Sequence, residues 1–223
     1  MSKTGAHSRI LLVCAANICR SPAAEVLMSA AWTASMARES IGLEFDSAGA
    51  VAMPGMLRCP VSAELVGREF AGNSRDIPVD ILEEYGLILT MERVHRGPIV
   101  SANPGIRSRV FTLVEAAQLA AFIVGPGLVL DTAQGNVESP QEDFDFDAVP
   151  NLPLDLSQRW QWFLSELDAW RGQVPSNFQE DSLAVVDIPD PHDFREDVHA
   201  ASFDRIEHAT KVFIDALTEV MSR

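Results

Sequence analysis

The run VCAANICRSPAAE, from Val13 to Glu25, sets two thiols and a guanidinium within a few residues of one another. Cys14 and Arg20 stand six apart. A thiolate attacks phosphorus well when its charged form is favoured, the phosphoryl oxygens are held, and the leaving group receives a proton. A loop of this length can curl until successive backbone N–H groups point inward and form a nest for an anion. Ser21-Pro22 reads as a helix start, because Ser is a good N-cap and Pro suits the first helical position. The positive end of that helix then faces the same space. Arg20 adds a planar fork of donors for two phosphoryl oxygens. The same residues also admit a plainer reading, a buried cysteine at a strand end and an arginine on the surface.

A phosphate loop of this kind needs a strand before it and a helix after it, and the flanking sequence supplies both. Ile10 to Val13 is a short apolar run that reads as a buried strand. Pro22 to Ala37 has helical composition, with Val26, Met28, Ala30, Trp32 and Met36 as its apolar residues and Gly42 beyond it. Glu44 to Ser47, Gly86 to Thr90 and Arg109 to Leu113 read as further strands, while Val61 to Phe70 and Ala116 to Val124 read as helices. Strands alternating with helices predict an α/β fold, an open, doubly wound sandwich with a parallel sheet flanked by helices. The loop after the first strand then lies at the carboxyl edge of the sheet, where such folds bind ligands.

After Val124 the rhythm changes. Gly125-Pro126-Gly127 breaks the pattern, and QEDFDFDAVP at 141–150 is acidic and loop-like. Asp155 to Arg171 sets Trp160, Phe163, Leu167 and Trp170 on one helical face, the pattern of a helix covering a core or presenting a lid. Ala201 to Met221 reads as a long closing helix.

Composition limits the partners. The chain has 223 residues, 47% of them hydrophobic, which suits one globular domain with a real core. Its formal net charge of −15 repels nucleic acid and anionic membranes, so neither is expected as a partner. An anionic substrate would need a local positive site. Cys14, Cys19 and Cys59 are too few and too irregularly spaced for a disulfide framework, and they lack paired zinc-ligand spacing. We therefore expect no metal and a reducing, cytoplasmic setting. No apolar run is long enough to span a bilayer. The sequence specifies no oligomeric state.

VCAANICRSPAAE resembles the signature of the low-molecular-weight protein tyrosine phosphatases, V-C-x-G-N-I-C-R-S-P-x-A-E, with Ala16 where that family usually has Gly. The resemblance continues in order. DSAG at Asp46–Gly49 is similar to the family's S-A-G turn, and Arg75 followed by LILTME at Leu87–Glu92 to its A-R segment and L-x-x-M-D strand end. Asp190-Pro191, the one Asp-Pro of the chain, resembles the D-P-Y/F general-acid loop. The likeness covers about 8–124 and 185–222, so it implies one phosphatase-like α/β domain over 1–223 with an insertion at about 125–184. The implied fold is a three-layer sandwich with a four-stranded parallel sheet and the phosphate-binding loop after its first strand.

That likeness implies a role for each matching residue. Cys14 would be the nucleophile and form a phosphocysteine, Arg20 would hold the phosphoryl group, and Asp190 would protonate the leaving oxygen and then activate water. Ala15, Ala16, Asn17, Ile18 and Cys19 would line the cradle with backbone N–H groups. Ser21 would hydrogen-bond the Cys14 sulfur. Asn17 would brace the loop with help from Ser47, and Cys19 would guard Cys14 through a reversible disulfide or simply pack within the loop. No cofactor is expected, because Arg20 and the N–H groups supply the positive charge. A left-handed backbone at Ala16 would be strained. Gly72 stands where the family often has a loop-bracing His, with Asn73 a partial substitute. His192 follows Asp-Pro where an aromatic wall is usual, and Val51, Ala52 and Met53 replace another. Trp160, Trp162 or Phe144 of the insertion are candidates to reach the pocket rim instead. The implied activity is hydrolysis of phosphotyrosine in proteins, or of small phosphomonoesters by the same chemistry. An arsenate reductase is disfavoured because no cysteine follows Cys59, and a non-enzymatic phosphate-binding module because Cys14, Arg20 and Asp190 are all present.

Overall fold

The first strand, β1 (Arg9–Cys14), is apolar from Ile10 onward and buried along that length, as a central parallel strand covered on both faces must be. The structure, a computed structural model, describes residues 8–35, 37, 41–70, 72–125, 152–153, 155–173, 186–191 and 196–223. Chain order continues through α1 (Arg20–Ala34), β2 (Glu44–Gly49), α2 (Pro60–Val66), β3 (Tyr85–Thr90), α3 (Arg96–Ala102), β4 (Val110–Thr112), α4 (Leu113–Val124), α5 (Leu156–Ala169) and α6 (Glu196–Ser222). Short 3-10 turns at Val79–Glu84, Arg93–His95 and Pro104–Arg109 complete the described elements.

The sheet has four parallel strands in the order β2-β1-β3-β4. The chain moves outward from β1 to β2, then returns past it to β3. The carboxyl end of β1 is therefore a topological switch point, the crevice where open α/β sheets take ligands. Two apolar layers confirm the three-layer sandwich. Ile10, Leu12, Leu87 and Leu89 face a core shared with α1, α4, α5 and α6. Leu11, Val13, Ile88 and Val110 face the other way, onto Leu82, Ile99 and Ile106.

Several element bounds differ from the sequence reading, each for a local reason. α2 stops at Val66 rather than near Phe70, because Gly67 turns left-handed at φ 67 and caps it. β4 is only Val110–Thr112, because the Thr112 side chain and Glu115 form a reciprocal capping box that starts α4 at once. α3 and the 3-10 turns carry no long apolar period and were not anticipated.

α5 covers the core instead of a pocket rim. Trp160, Phe163 and Leu167 are buried with α4 and α6, Phe163 meets Phe213 edge-on at 5.8 Å, and Trp170 meets Phe122 at 4.9 Å. Buried Arg159 donates to the carbonyls of Val220 and Met221, where the exposed carbonyl dipoles at the end of α6 favour a cation. Trp162 packs on the same core, and Phe144 lies outside the described residues. Among the described residues, no helix is long and apolar enough to cross a membrane.

One glycine fixes how closely β2 approaches the loop after β1. A Cβ on Gly49 would stand 2.7 Å from the Ala15 carbonyl oxygen and 2.9 Å from the Ala16 carbonyl carbon, both backbone atoms that cannot step aside. Gly49→Ala is expected to destabilise the protein by about 1–3 kcal/mol in urea unfolding, the usual range for overpacking. Wild-type stability in that variant would mean that the strand and loop separate easily.

Candidate active site

Residues Ala15–Cys19 form the bend between β1 and α1, and their polar groups are accounted for almost bond by bond. Ala50 and Val51 donate their N–H groups to the carbonyls of Cys14 and Ala15, at 2.8 and 2.9 Å. Cys59 N–H donates to Ile18 O at 3.1 Å, and Arg58 Nη1 to Asn17 O at 3.0 Å. Four carbonyls of the loop thus face the outer segment 50–59. In a trans peptide unit the C=O and the next N–H point in opposite directions, and no described peptide bond is cis. The N–H groups of Ala15, Ala16, Ile18 and Cys19 therefore turn away from segment 50–59, into the space the loop encloses. Inward N–H groups are what an anion nest requires, and engaging the carbonyls from outside provides them.

Asn17 holds the bend from within. It is the one non-glycine with positive φ among the described residues, at 57°. The left-handed position thus falls on Asn17, a residue that tolerates it, and Ala16 escapes the expected strain. The Asn17 side chain is fully buried. Its Nδ2 donates to Ser21 Oγ at 3.0 Å and to Ser47 Oγ at 2.9 Å, and its Oδ1 accepts from Arg75 N at 3.0 Å. Its backbone N–H points at Cys14 Sγ, 3.3 Å away.

Ser21 is not the helix cap. α1 begins at Arg20, with Cys19 in the N-cap position and no side-chain cap. The Ser21 hydroxyl is engaged elsewhere, 3.1 Å from Cys14 Sγ and 3.2 Å from the Ala48 carbonyl. With Gly72 in place of the family's bracing His, Arg58 braces the loop, reaching Ser47 Oγ at 3.4 Å as well as Asn17 O. Burial lowers the Arg58 pKa, with the nearby Glu25 charge opposing. Both of these bonds go to neutral acceptors, the Asn17 carbonyl and the Ser47 hydroxyl. Arg75 anchors the β2 side, donating to Ser47 O at 2.6 Å and pairing with Asp46 at 3.2 Å.

Arg20 is 1% exposed and ties the loop to the far end of the chain. Its Nη2 donates to Asp190 Oδ2 at 2.6 Å, and its Nη1 donates to Ile188 O at 2.7 Å and to the Glu92 carboxylate. Cys14, Arg20 and Asp190 thus converge at the carboxyl ends of β1 and β3. Glu92, which the sequence reading quoted without a role, joins them. His192 lies outside the described residues.

The segment carrying Asp190 is fastened through Asp187. Asp187 accepts three hydrogen bonds from Arg93, at 2.8 Å from its backbone and 3.0 and 2.8 Å from its guanidinium. Ile188 N donates to Met91 O at 2.8 Å, and Ser202 Oγ to Pro189 O at 2.9 Å. The role of Arg93 has no local signal, because its partner is 94 residues away.

Cys19 is buried beside Cys59 and His199. Burial first, and then the neighbouring Cys59, push its thiol well above the ordinary cysteine range.

The comparisons with known proteins follow this geometry. The family model described as low molecular weight phosphotyrosine protein phosphatase matches residues 9–121. A protein-arginine-phosphatase of Bacillus subtilis is 32% identical over 133 residues, covering 58% of this chain and 82% of that one. The low molecular weight protein-tyrosine-phosphatase Wzb of Salmonella typhi is 34% identical over 107 residues, 46% of this chain and 66% of that one. Among solved structures, the Erwinia amylovora tyrosine phosphatase AmsI aligns with a TM-score of 0.57 at 19% identity, over 97% of this chain and 95% of that one. The YwlE arginine phosphatase from Geobacillus stearothermophilus aligns with a TM-score of 0.54 at 21% identity, over 95% and 90%. At those identities the structures speak for the fold.

The Arg93–Asp187 fastening has a definite pH signature. Burial pushes the Asp187 carboxyl up, but the side-chain and backbone hydrogen bonds from Arg93 outweigh it, and the net shift is downward. With the folded pKa below the unfolded value, the contact contributes stability above that unfolded value, about 3.9. It is lost as pH falls through the lower folded pKa. Asp187→Asn should therefore be less stable than wild type at pH 7 in urea unfolding, with the difference vanishing in strong acid. A difference that persists there would show that Asp187 acts by something other than its charge.

Proposed function

The chain belongs to the low molecular weight phosphotyrosine protein phosphatase family, and from that premise we propose that it removes phosphoryl groups from phosphotyrosine in proteins. It is a cysteine-based phosphatase and a phosphoric monoester hydrolase, acting on phosphorylated substrates. The observation that carries the mechanism is the 2.6 Å contact between Arg20 and Asp190, which joins the end of the Cys14 loop to the candidate acid.

In the proposed first step, Cys14 Sγ attacks phosphorus opposite the leaving oxygen. The S–P bond forms as the P–O bond breaks, and Asp190 hands its proton to the departing oxygen. Arg20 and the inward N–H groups bind the equatorial oxygens, where negative charge is held through the transition state. In the second step Asp190 takes a proton from water as the water oxygen attacks the phosphocysteine. Cys14 leaves as a thiolate, eased by Ser21 Oγ at 3.1 Å and Asn17 N–H at 3.3 Å. Fixed donors do this better than water because they need not reorganise.

For the substrate, phosphotyrosine stands first on the family, and in place of the usual aromatic wall the site has the exposed apolar side chains of Val51, Met53 and Leu57. They belong to the segment hydrogen-bonded along the loop and offer apolar surface for a ring. A second reading, phosphoarginine in proteins, is favoured by Glu92. With Asp190 it sets two carboxylates about Arg20, suited to a cationic guanidinium leaving group, and one relative is named a protein-arginine-phosphatase.

The chain is expected to hydrolyse para-nitrophenyl phosphate at mildly acidic pH in the presence of a chelator. Cys14→Ser should reduce turnover to background, and Asp190→Ala should lower kcat by about 10²–10⁴-fold, the usual share of a general acid. Unchanged turnover in Cys14→Ser would contradict the mechanism. A panel of one peptide bearing phosphotyrosine or phosphoarginine, with a small sugar phosphate alongside, separates the substrates by kcat/KM. Preference for phosphotyrosine is expected. Preference for phosphoarginine, and its loss in Glu92→Gln, would establish the second reading, and equal turnover of all three would overturn both.

A further inference from the structure

Beneath the phosphate loop, three side chains from distant parts of the chain meet. Cys19 ends the loop, Cys59 stands just before Pro60 at the start of α2, and His199 lies in the first turns of α6. All three are buried, and the two sulfurs and an imidazole nitrogen lie within 4.8 Å of one another. Cys59 Sγ and His199 Nε2 are 3.8 Å apart. Tetrahedral zinc, with Zn–S of about 2.3 Å and Zn–N of about 2.0–2.1 Å, sets its ligand atoms about 3.5–3.8 Å from each other. The cluster thus needs only a small contraction to close on an ion. Ser62, one short step along α2, is wholly buried, and its Oγ makes no hydrogen bond of full geometry. It neighbours the Cys19 thiol and can furnish a fourth, oxygen ligand.

We propose that Cys19, Cys59 and His199 form a zinc site that cross-links the phosphate loop to α2 and α6. The donor set selects the metal. Two thiolates and one imidazole suit a borderline-soft cation and discriminate against magnesium and calcium, which take oxygen. Binding would displace the two thiol protons, so affinity should fall on acidification. The ion would draw together elements 40 and 140 residues apart in sequence, which is why cysteine and histidine spacing gives no zinc signature. It would also hold Cys19 as a ligand and so withdraw it from thiol chemistry with Cys14. The site stands apart from the phosphatase reaction, whose positive charge comes from Arg20 and the loop.

The test uses the full chain on a Cys14→Ser background, so that the active-site thiol cannot supply the signal. Zinc added to the chelator-treated protein should bind at one ion per chain. At a hundredfold excess over its Kd it should raise Tm by roughly 5–10 °C. Both effects should be lost in His199→Ala and in Cys59→Ser. Cobalt in place of zinc reports on the ligands without any further substitution, so the test survives a variant that fails to fold. An intense near-ultraviolet sulfur-to-cobalt band supports the site. Absence of that band, absence of zinc binding, or binding unchanged in a folded His199→Ala protein would overturn it.

Discussion

The active end of this molecule depends on one buried amide. Asn17 takes a left-handed backbone conformation and returns three side-chain hydrogen bonds to Ser21, Ser47 and Arg75 N. A left-handed turn at a residue other than Gly costs about 1–2 kcal/mol. Buried hydrogen bonds contribute about 1 kcal/mol each, and orphaning their partners costs more. The network therefore outweighs the strain, and it makes the bend rigid rather than merely permitted. Its backbone N–H, aimed at Cys14 Sγ, is fixed by the same turn. Asn→Asp at this position would keep the shape but remove the donor that Ser21 and Ser47 both use.

Around that amide the fold solves an electrostatic problem. A chain of net charge −15 must still receive a phosphoryl dianion. On the proposed mechanism it does so by local arrangement: inward N–H groups, the start of α1, buried Arg20, and Arg58 set against the loop from outside. The carboxylates of Glu92 and Asp190 stand on the Arg20 side and orient its guanidinium. On the β2 side, burial pushes Asp46 up, but Arg9 and then Arg75 more than offset it, holding it ionised and fixing Arg75. Each arginine near the site is thus positioned by a bond the scaffold supplies.

What was legible in the sequence is what lies close together along it. The strand, the loop and the helix of Val13–Glu25 are contiguous, so their order could be read along the chain and the family resemblance supplied the chemistry proposed for them, while the alternation of elements carried the parallel sheet. Asp190 was legible only through the order of motifs, since Asp-Pro alone is a common turn. Ala16 and Asn17 show the limit of that method. A family pattern names a position where Gly is usual, but only the backbone shows which residue turns left-handed. Arg58, the Arg93–Asp187 fastening and the Cys59–His199 contact were hidden because their partners are far apart in sequence. Spacing along the chain likewise does not register the proposed Cys19–Cys59–His199 site, whose residues are gathered by tertiary structure.

The account turns on Cys14, and not Cys19, being the atom that takes the phosphoryl group. Acid-quenched turnover, followed by tryptic digestion and fragmentation of the peptide Ile10–Arg20, reads this directly, because both cysteines lie in that one peptide. The account predicts a single phosphoryl group on Cys14, accumulating further in Asp190→Ala, where hydrolysis of the intermediate lacks its base. A phosphoryl group on Cys19, or turnover with no modified cysteine, would contradict it.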